Sequence, residues 1–118
     1  MIRVIGDRIM IAKGDTGTFT VPNIYCKQEN DIAVLVVYDS MYKKKVIEKI
    51  SDADEDLLVF SFVSDDTKEL EARTYYWDII IYHEPIYDDE GLPIDGTHID
   101  SYYGTRLKLP KFIVKGVI

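Results

Sequence analysis

Asp66 to Tyr82 reads DTKELEARTYYWDIIIY, and this stretch decides the fold class. Its first half carries a helix-start signal. The Asp66 carboxylate can accept the backbone N–H of Glu69, and Glu69 can reach back to the N–H of Asp66, which makes a capping box with Asp in the usual Ser/Thr position. Its second half cannot stay helical, because Thr74 to Tyr82 is crowded with aromatic and β-branched residues that suit a pleated, half-buried surface. Alternation there sets Tyr75, Trp77, Ile79 and Ile81 against Tyr76, Asp78, Ile80 and Tyr82. Trp77 is expected to fill the space between two sheets. Asp78 then faces the other way and needs a hydrogen-bond partner. The Tyr75 hydroxyl is expected to reach back to the backbone near Thr67 to Leu70, a corner contact of β-sandwiches.

Working outward in both directions, strand patterns follow one another at short intervals. Ile2 to Ile5 and Ile9 to Ala12 flank a turn at Gly6-Asp7, and Thr16 to Val21 follows Lys13-Gly14-Asp15. Ile24 to Lys27 can extend along an edge. Ile32 to Tyr38 is apolar at every position, which in a short β-branched run means a strand buried on both faces. Lys44 to Ile50 reads as an edge segment, and Leu57 to Val63 places Leu58, Phe60 and Phe62 on one face. A final strand is expected from about Lys111 to Ile118. These spacings predict one antiparallel β-sandwich domain over residues 1–118, with seven or eight strands and a single short helical turn. The exception to the even spacing is a connection over about 85–106, from the proline of Glu84-Pro85 to Arg106. Within it, Asp95-Gly96 favours a tight hairpin turn.

Composition bounds the function classes. The chain has 118 residues, enough for one self-sufficient core, and 47% of them are hydrophobic. Fourteen basic and 21 acidic residues leave a net charge of −7, which repels nucleic-acid phosphates over most of the surface. Cys26 stands alone, so no internal disulfide can form. The N-terminal MIRVIGDRIMIAKGD has charges at positions 3, 7, 8 and 13, unlike a signal peptide, and no apolar run is long enough to span a bilayer. Synthesis in the cytoplasm, with no nucleic-acid or membrane partner, is the expectation.

No constellation of residues carries recognisable chemistry, and no catalytic, cofactor-binding or metal site is assigned. Asp88, Asp89, Glu90, Asp95 and Asp100 lack the alternating ligands and central glycine of an EF-hand loop. His83 and His98 have none of the short spacings of zinc ligands. Cys26 reads as a small buried hydrophobe. Gly14-Asp15-Thr16-Gly17 has neither the spacing nor the lysine of a phosphate loop. Lys43-Lys44-Lys45 is a basic run in an acidic chain, the kind of residue that guards an edge strand.

A set of ordered motifs resembles a known family. Lys13-Gly14-Asp15-Thr16 leads into Phe19-Thr20-Val21, and Asp31-Ile32 opens an apolar strand. Ser64-Asp65-Asp66-Thr67 with Leu70 precedes Tyr75-Tyr76-Trp77-Asp78-Ile79, and Pro110-Lys111-Phe112-Ile113-Val114 closes the chain. In order and spacing these resemble the N-terminal immunoglobulin-like domain of baseplate upper proteins from phages and prophages of Gram-positive hosts, although the long connection after Tyr82 departs from that pattern. The resemblance implies a non-enzymatic tail or baseplate-type structural protein. Such a protein assembles with other virion proteins or with copies of itself, is virion-associated, and has no cofactor. Tyr87, Tyr102 and Tyr103 on the long connection, with Tyr42 and the Lys43, Lys44, Lys45 edge, are the candidate partner-binding residues. The alternative is a carbohydrate-binding sandwich whose loop tyrosines stack on sugar rings.

Overall fold

The computed structural model describes residues 2–23, 30–40, 43–51, 56–101 and 109–116, with backbone only at 98 and 100. The fold is all-β with one helical turn. In chain order the elements are β1 (Ile2–Ile5), β2 (Arg8–Ala12), β3 (Gly17–Pro22), β4 (Ile32–Tyr38), β5 (Lys45–Ile50) and β6 (Leu57–Phe62). After α1 (Ser64–Thr67) come β7 (Thr74–His83), β8 (Ile86–Tyr87), β9 (Pro93–Asp95), β10 (His98–Ser101) and β11 (Lys111–Lys115). Among the described residues there are eleven strands rather than the expected seven or eight, because the connection over 85–106 contributes β8, β9 and β10. The extra strands have two to four residues each, too few for an alternation to announce them. The edge extension expected at Ile24 to Lys27 lies outside the described residues.

One large sheet runs in the order β1-β2-β11-β7-β4-β5, with β10 also paired to β7; β3-β6 and β8-β9 form two separate pairs. Pairing is antiparallel except between β2 and β11, which run parallel. The expected antiparallel sandwich holds apart from this one pair, in which β2 lies beside the final strand and runs in the same direction. β7 is the axis of the molecule. Along one side it pairs with β4 from Tyr38↔Tyr76 to Ile32↔Tyr82. Along the other it pairs with β10 through Ser101↔Ile80 and with β11 through Lys111↔Tyr76. Just before β11, the Pro110 carbonyl accepts the Trp77 N–H at 3.1 Å.

The alternation of β7 builds two cores. Tyr75, Trp77, Ile79 and Ile81 face the β3–β6 pair, where they pack with Phe19, Leu58, Phe60, Phe62, Leu35, Val37 and Phe112. Phe19 meets Trp77 edge-on, with ring centroids 5.1 Å apart at 77°, and the indole N–H donates to the Asp7 carbonyl at 2.9 Å. Trp77 therefore fills the inter-sheet space, at 1% exposure. Each fully buried aliphatic or aromatic side chain here contributes about 1.5–3 kcal/mol from leaving water. On the opposite face Val34, Val36, Tyr38 and Tyr82 pack with Leu109 in a second, smaller cluster. β4 thus buries residues on both faces, as its unbroken apolar run requires.

Asp78 is fully buried on that second face. Its carboxylate accepts the Ile79 N–H at 2.8 Å and the Ser101 hydroxyl, which ties β10 to β7 and removes most of the cost of burial. The Tyr75 hydroxyl donates to the Glu71 carbonyl at 2.9 Å, one residue beyond the expected Thr67 to Leu70. The helical turn begins three residues earlier than the Asp66–Glu69 pattern suggests. Asp66 is its third residue, not its cap, and accepts the Val63 N–H at 2.8 Å. The same carboxylate pairs with Lys49 of β5 at 3.0 Å, a cross-sheet contact that no local pattern displays.

Candidate functional site

Seventeen residues beyond β7, from Glu84 to Asp100, contain six Asp or Glu and no Lys or Arg. They therefore account for six of the seven net negative charges of the chain. The β8–β9 hairpin lies within this stretch. Its turn is closed by Asp88, whose N–H donates to the Leu92 carbonyl at 2.8 Å and whose carbonyl accepts the Gly91 N–H at 3.1 Å. The Asp88 carboxylate accepts the N–H groups of Glu90 and Leu92, both at 2.9 Å, the local capping for which Asp is favoured in turns. Gly91 supplies φ 83, a left-handed conformation that glycine adopts without steric cost. The tight turn expected at Asp95-Gly96 thus falls at Asp88 to Leu92, because Gly96 is needed elsewhere.

Gly96 lies against the end of β7. A Cβ at that position would stand 2.5 Å from the His83 carbonyl oxygen, so nothing larger than glycine fits. The same carbonyl accepts the Thr97 N–H at 2.9 Å and the Thr97 hydroxyl at 3.2 Å. The His83 ring meets Asp31 in turn, Nδ1 to Oδ2 at 2.8 Å. Oδ1 of Asp31 accepts the Glu84 N–H at 3.3 Å, and Glu84 takes the uncommon φ of 49°. Left-handed backbone at a non-glycine residue costs about 1–2 kcal/mol, and here the Asp31 contact helps to hold it. Asp31, His83, Gly96 and Thr97 together fasten the hairpin segment to the sheet.

From this anchored segment apolar side chains project into solvent. Ile86 is 57% exposed, Tyr87 48%, Ile94 59% and Ile99 44%, and these are four of the nine large hydrophobic side chains exposed among the described residues. Tyr87 is where the sequence led, and the three isoleucines are additions. The signal that points to them is their place in an acidic segment, on strands too short to have two covered faces. Tyr102, Tyr103 and Tyr42 lie outside the described residues.

Lys43, Lys44 and Lys45 are exposed and precede or open edge strand β5, but the structure does not bring them to Tyr87. Tyr38 pairs with Tyr76 near the start of β7, and the hairpin leaves from its end at His83. The lysines and the hairpin therefore stand at opposite ends of the sheet. Six register steps of β7 separate Tyr76 from Tyr82, about 20 Å at strand rise, in a molecule 44 Å long.

His83 and His98, fifteen residues apart in sequence, are cross-strand partners in register. Among the described residues no group of three or more His, Cys, Asp or Glu side chains could hold a metal ion. A shallow pocket of about 220 Å³ opens beside β2 and β11, lined by Asp7, Arg8, Leu109, Pro110 and Lys111. None of its described lining residues carries an aromatic ring. No helix among the described residues is long and apolar enough to cross a membrane.

Comparison with protein-family models, with curated proteins and with solved structures yields no match.

Proposed function

We propose that this protein is a non-enzymatic assembly module of a phage or prophage particle, of the tail or baseplate type, acting through the β8–β9 end of its sandwich. The observation that carries the proposal is the exposure of Ile86, Tyr87, Ile94 and Ile99 on a segment anchored by Asp31, His83 and Gly96. Apolar side chains held outward on a fixed support lose little conformational entropy when a partner covers them, and such anchors inside a polar rim are the usual carriers of interface energy. The acidic residues around them supply the rim. The motif order from Lys13-Gly14-Asp15-Thr16 to Pro110-Lys111-Phe112-Ile113-Val114 supports the particle context.

The test is fractionation of induced particles from the producing strain on a density gradient, with an antibody against the purified chain. Co-banding with tails or whole particles is expected. Confinement of the protein to the particle-free fractions would remove the virion assignment.

A further inference from the structure

We propose that the partner of the acidic hairpin is a second copy of this chain, bound head to tail through its Lys43–Lys45 turn. The inference rests on the assembly reading above and adds the partner's identity. Charge separation within the molecule carries it. Residues 84–100 hold six carboxylates and no base, and they lie at the His83 end of β7. At the other end stand three consecutive exposed lysines, which make no ion pair with any described residue.

Several other carboxylates of the chain are matched by bases of their own. Asp65 pairs with Lys68 at 2.7 Å, Asp66 with Lys49 at 3.0 Å and Glu71 with Arg73 at 3.7 Å. The Asp39 carboxylate accepts the Lys44 N–H at 3.0 Å and the Ser40 hydroxyl at 3.4 Å. The lysine ammonium groups thus remain as a cationic patch on a chain that is otherwise acidic. Within one molecule the two patches are too far apart to meet. Between molecules they are complementary, and an acidic end docking on a basic end repeats from copy to copy. Such a contact is heterologous, so it produces a ring where the rotation closes and a filament where it does not. The exposed Ile86, Tyr87 and Ile94 would supply the apolar part of the same contact.

The experiment is sedimentation velocity of the full chain over a concentration series, in low salt and in about 1 M NaCl, where the screening length falls to about 3 Å. Species larger than the 13.6 kDa subunit are expected in low salt, with at least about a tenfold loss of association constant in high salt, as for charge-dependent contacts. Two variants sharpen it, one carrying Lys43→Glu, Lys44→Glu and Lys45→Glu, the other Asp89→Lys and Glu90→Lys. Asp88 is left intact because it closes the turn. The lysine variant has two acidic ends and is expected to sediment as a monomer; the hairpin variant keeps four carboxylates against two new lysines and is expected to associate more weakly than wild type, both with an unchanged melting temperature. In an equimolar mixture the unaltered hairpin of the first meets the unaltered lysine turn of the second, so pairs of subunits are expected to form.

A wild-type chain that stays monomeric in low salt at every concentration would overturn the inference, and particle co-banding would then still stand or fall by itself. Assembly that survives both salt and charge reversal would overturn it as well. The contact would then lie elsewhere, and Val4→Lys on edge strand β1 would locate it.

Discussion

The two ends of β7 hold similar residues under opposite conditions. In the body of the strand, Trp77, Ile79 and Ile81 are enclosed by a second layer built from β3 and β6. Beyond His83, Ile86, Ile94 and Ile99 are as apolar but stand in water, among carboxylates, on strands of two to four residues. Burial in the first region explains why the chain folds. Half-exposed side chains in the second contribute less to folding, and their uncovered surface is available to an interface. Hydrophobicity alone does not distinguish the regions; the presence or absence of a covering layer does.

The largest effect should come from removing the centre of the enclosed region. Trp77→Ala loses the Phe19 contact and leaves a cavity between the layers, and is expected to cost about 3–5 kcal/mol in denaturant unfolding. A milder effect on that measure would show that the two sheets collapse onto the gap.

Gly96→Ala tests the attachment of the second region to the first. Its Cβ would meet the His83 carbonyl, and the expected cost is about 1–3 kcal/mol. The loss should be local: hydrogen exchange at the Thr97 amide should accelerate, while amides of β4 and the first half of β7 keep their protection. Uniform acceleration would mean that hairpin and sheet unfold as one unit, and the contrast between the regions would weaken.

Tyr82 lies where the two regions meet. Burial pushes its phenol upward, and the carboxylates of Glu48 and of Asp95, at the end of β9, add to the shift. The folded pKa is therefore above the ordinary phenol value of 10.0. Stability from the protonated phenol is fully present below pH 10 and is lost as the pH rises through the higher folded value. Melting temperature should fall on that alkaline limb, and Tyr82→Phe should flatten it. An unchanged slope in the variant would place the alkaline sensitivity on other groups.

The smallest stability effect is expected for Ile86→Ser combined with Ile94→Ser, within about 0.5 kcal/mol of wild type. The same variant should lose association in sedimentation. Destabilisation comparable to that of Trp77→Ala would show that these isoleucines belong to the core after all.

Much of the enclosed region was legible in the chain. Period-two alternation in Thr74 to Tyr82, the unbroken run Ile32 to Tyr38 and the spacing of Leu58, Phe60 and Phe62 each announce which faces are covered, because a strand's two faces are set by residue parity. The hairpin end was legible only in part. Tyr87 and the acidic composition were visible, but β8, β9 and β10 were hidden within one long connection. The helical turn was displaced by three residues, since a carboxylate at the N-terminus of a helix can accept either as the cap or, as Asp66 does, from the third helical position, and the pairing with Lys49 is invisible locally.

By itself, the sequence determined the class: an all-β domain with Trp77 at its centre, Asp78 on the far face, and a net negative charge. These follow from side-chain chemistry and neighbours a few positions away. The tertiary structure alone decided that β2 and β11 run parallel and that Asp31 meets His83 across 52 residues. It also placed the lysine turn and the acidic hairpin at opposite ends of β7. Such relations depend on the register of strands distant in sequence, and register is selected by how all the covered faces pack together at once.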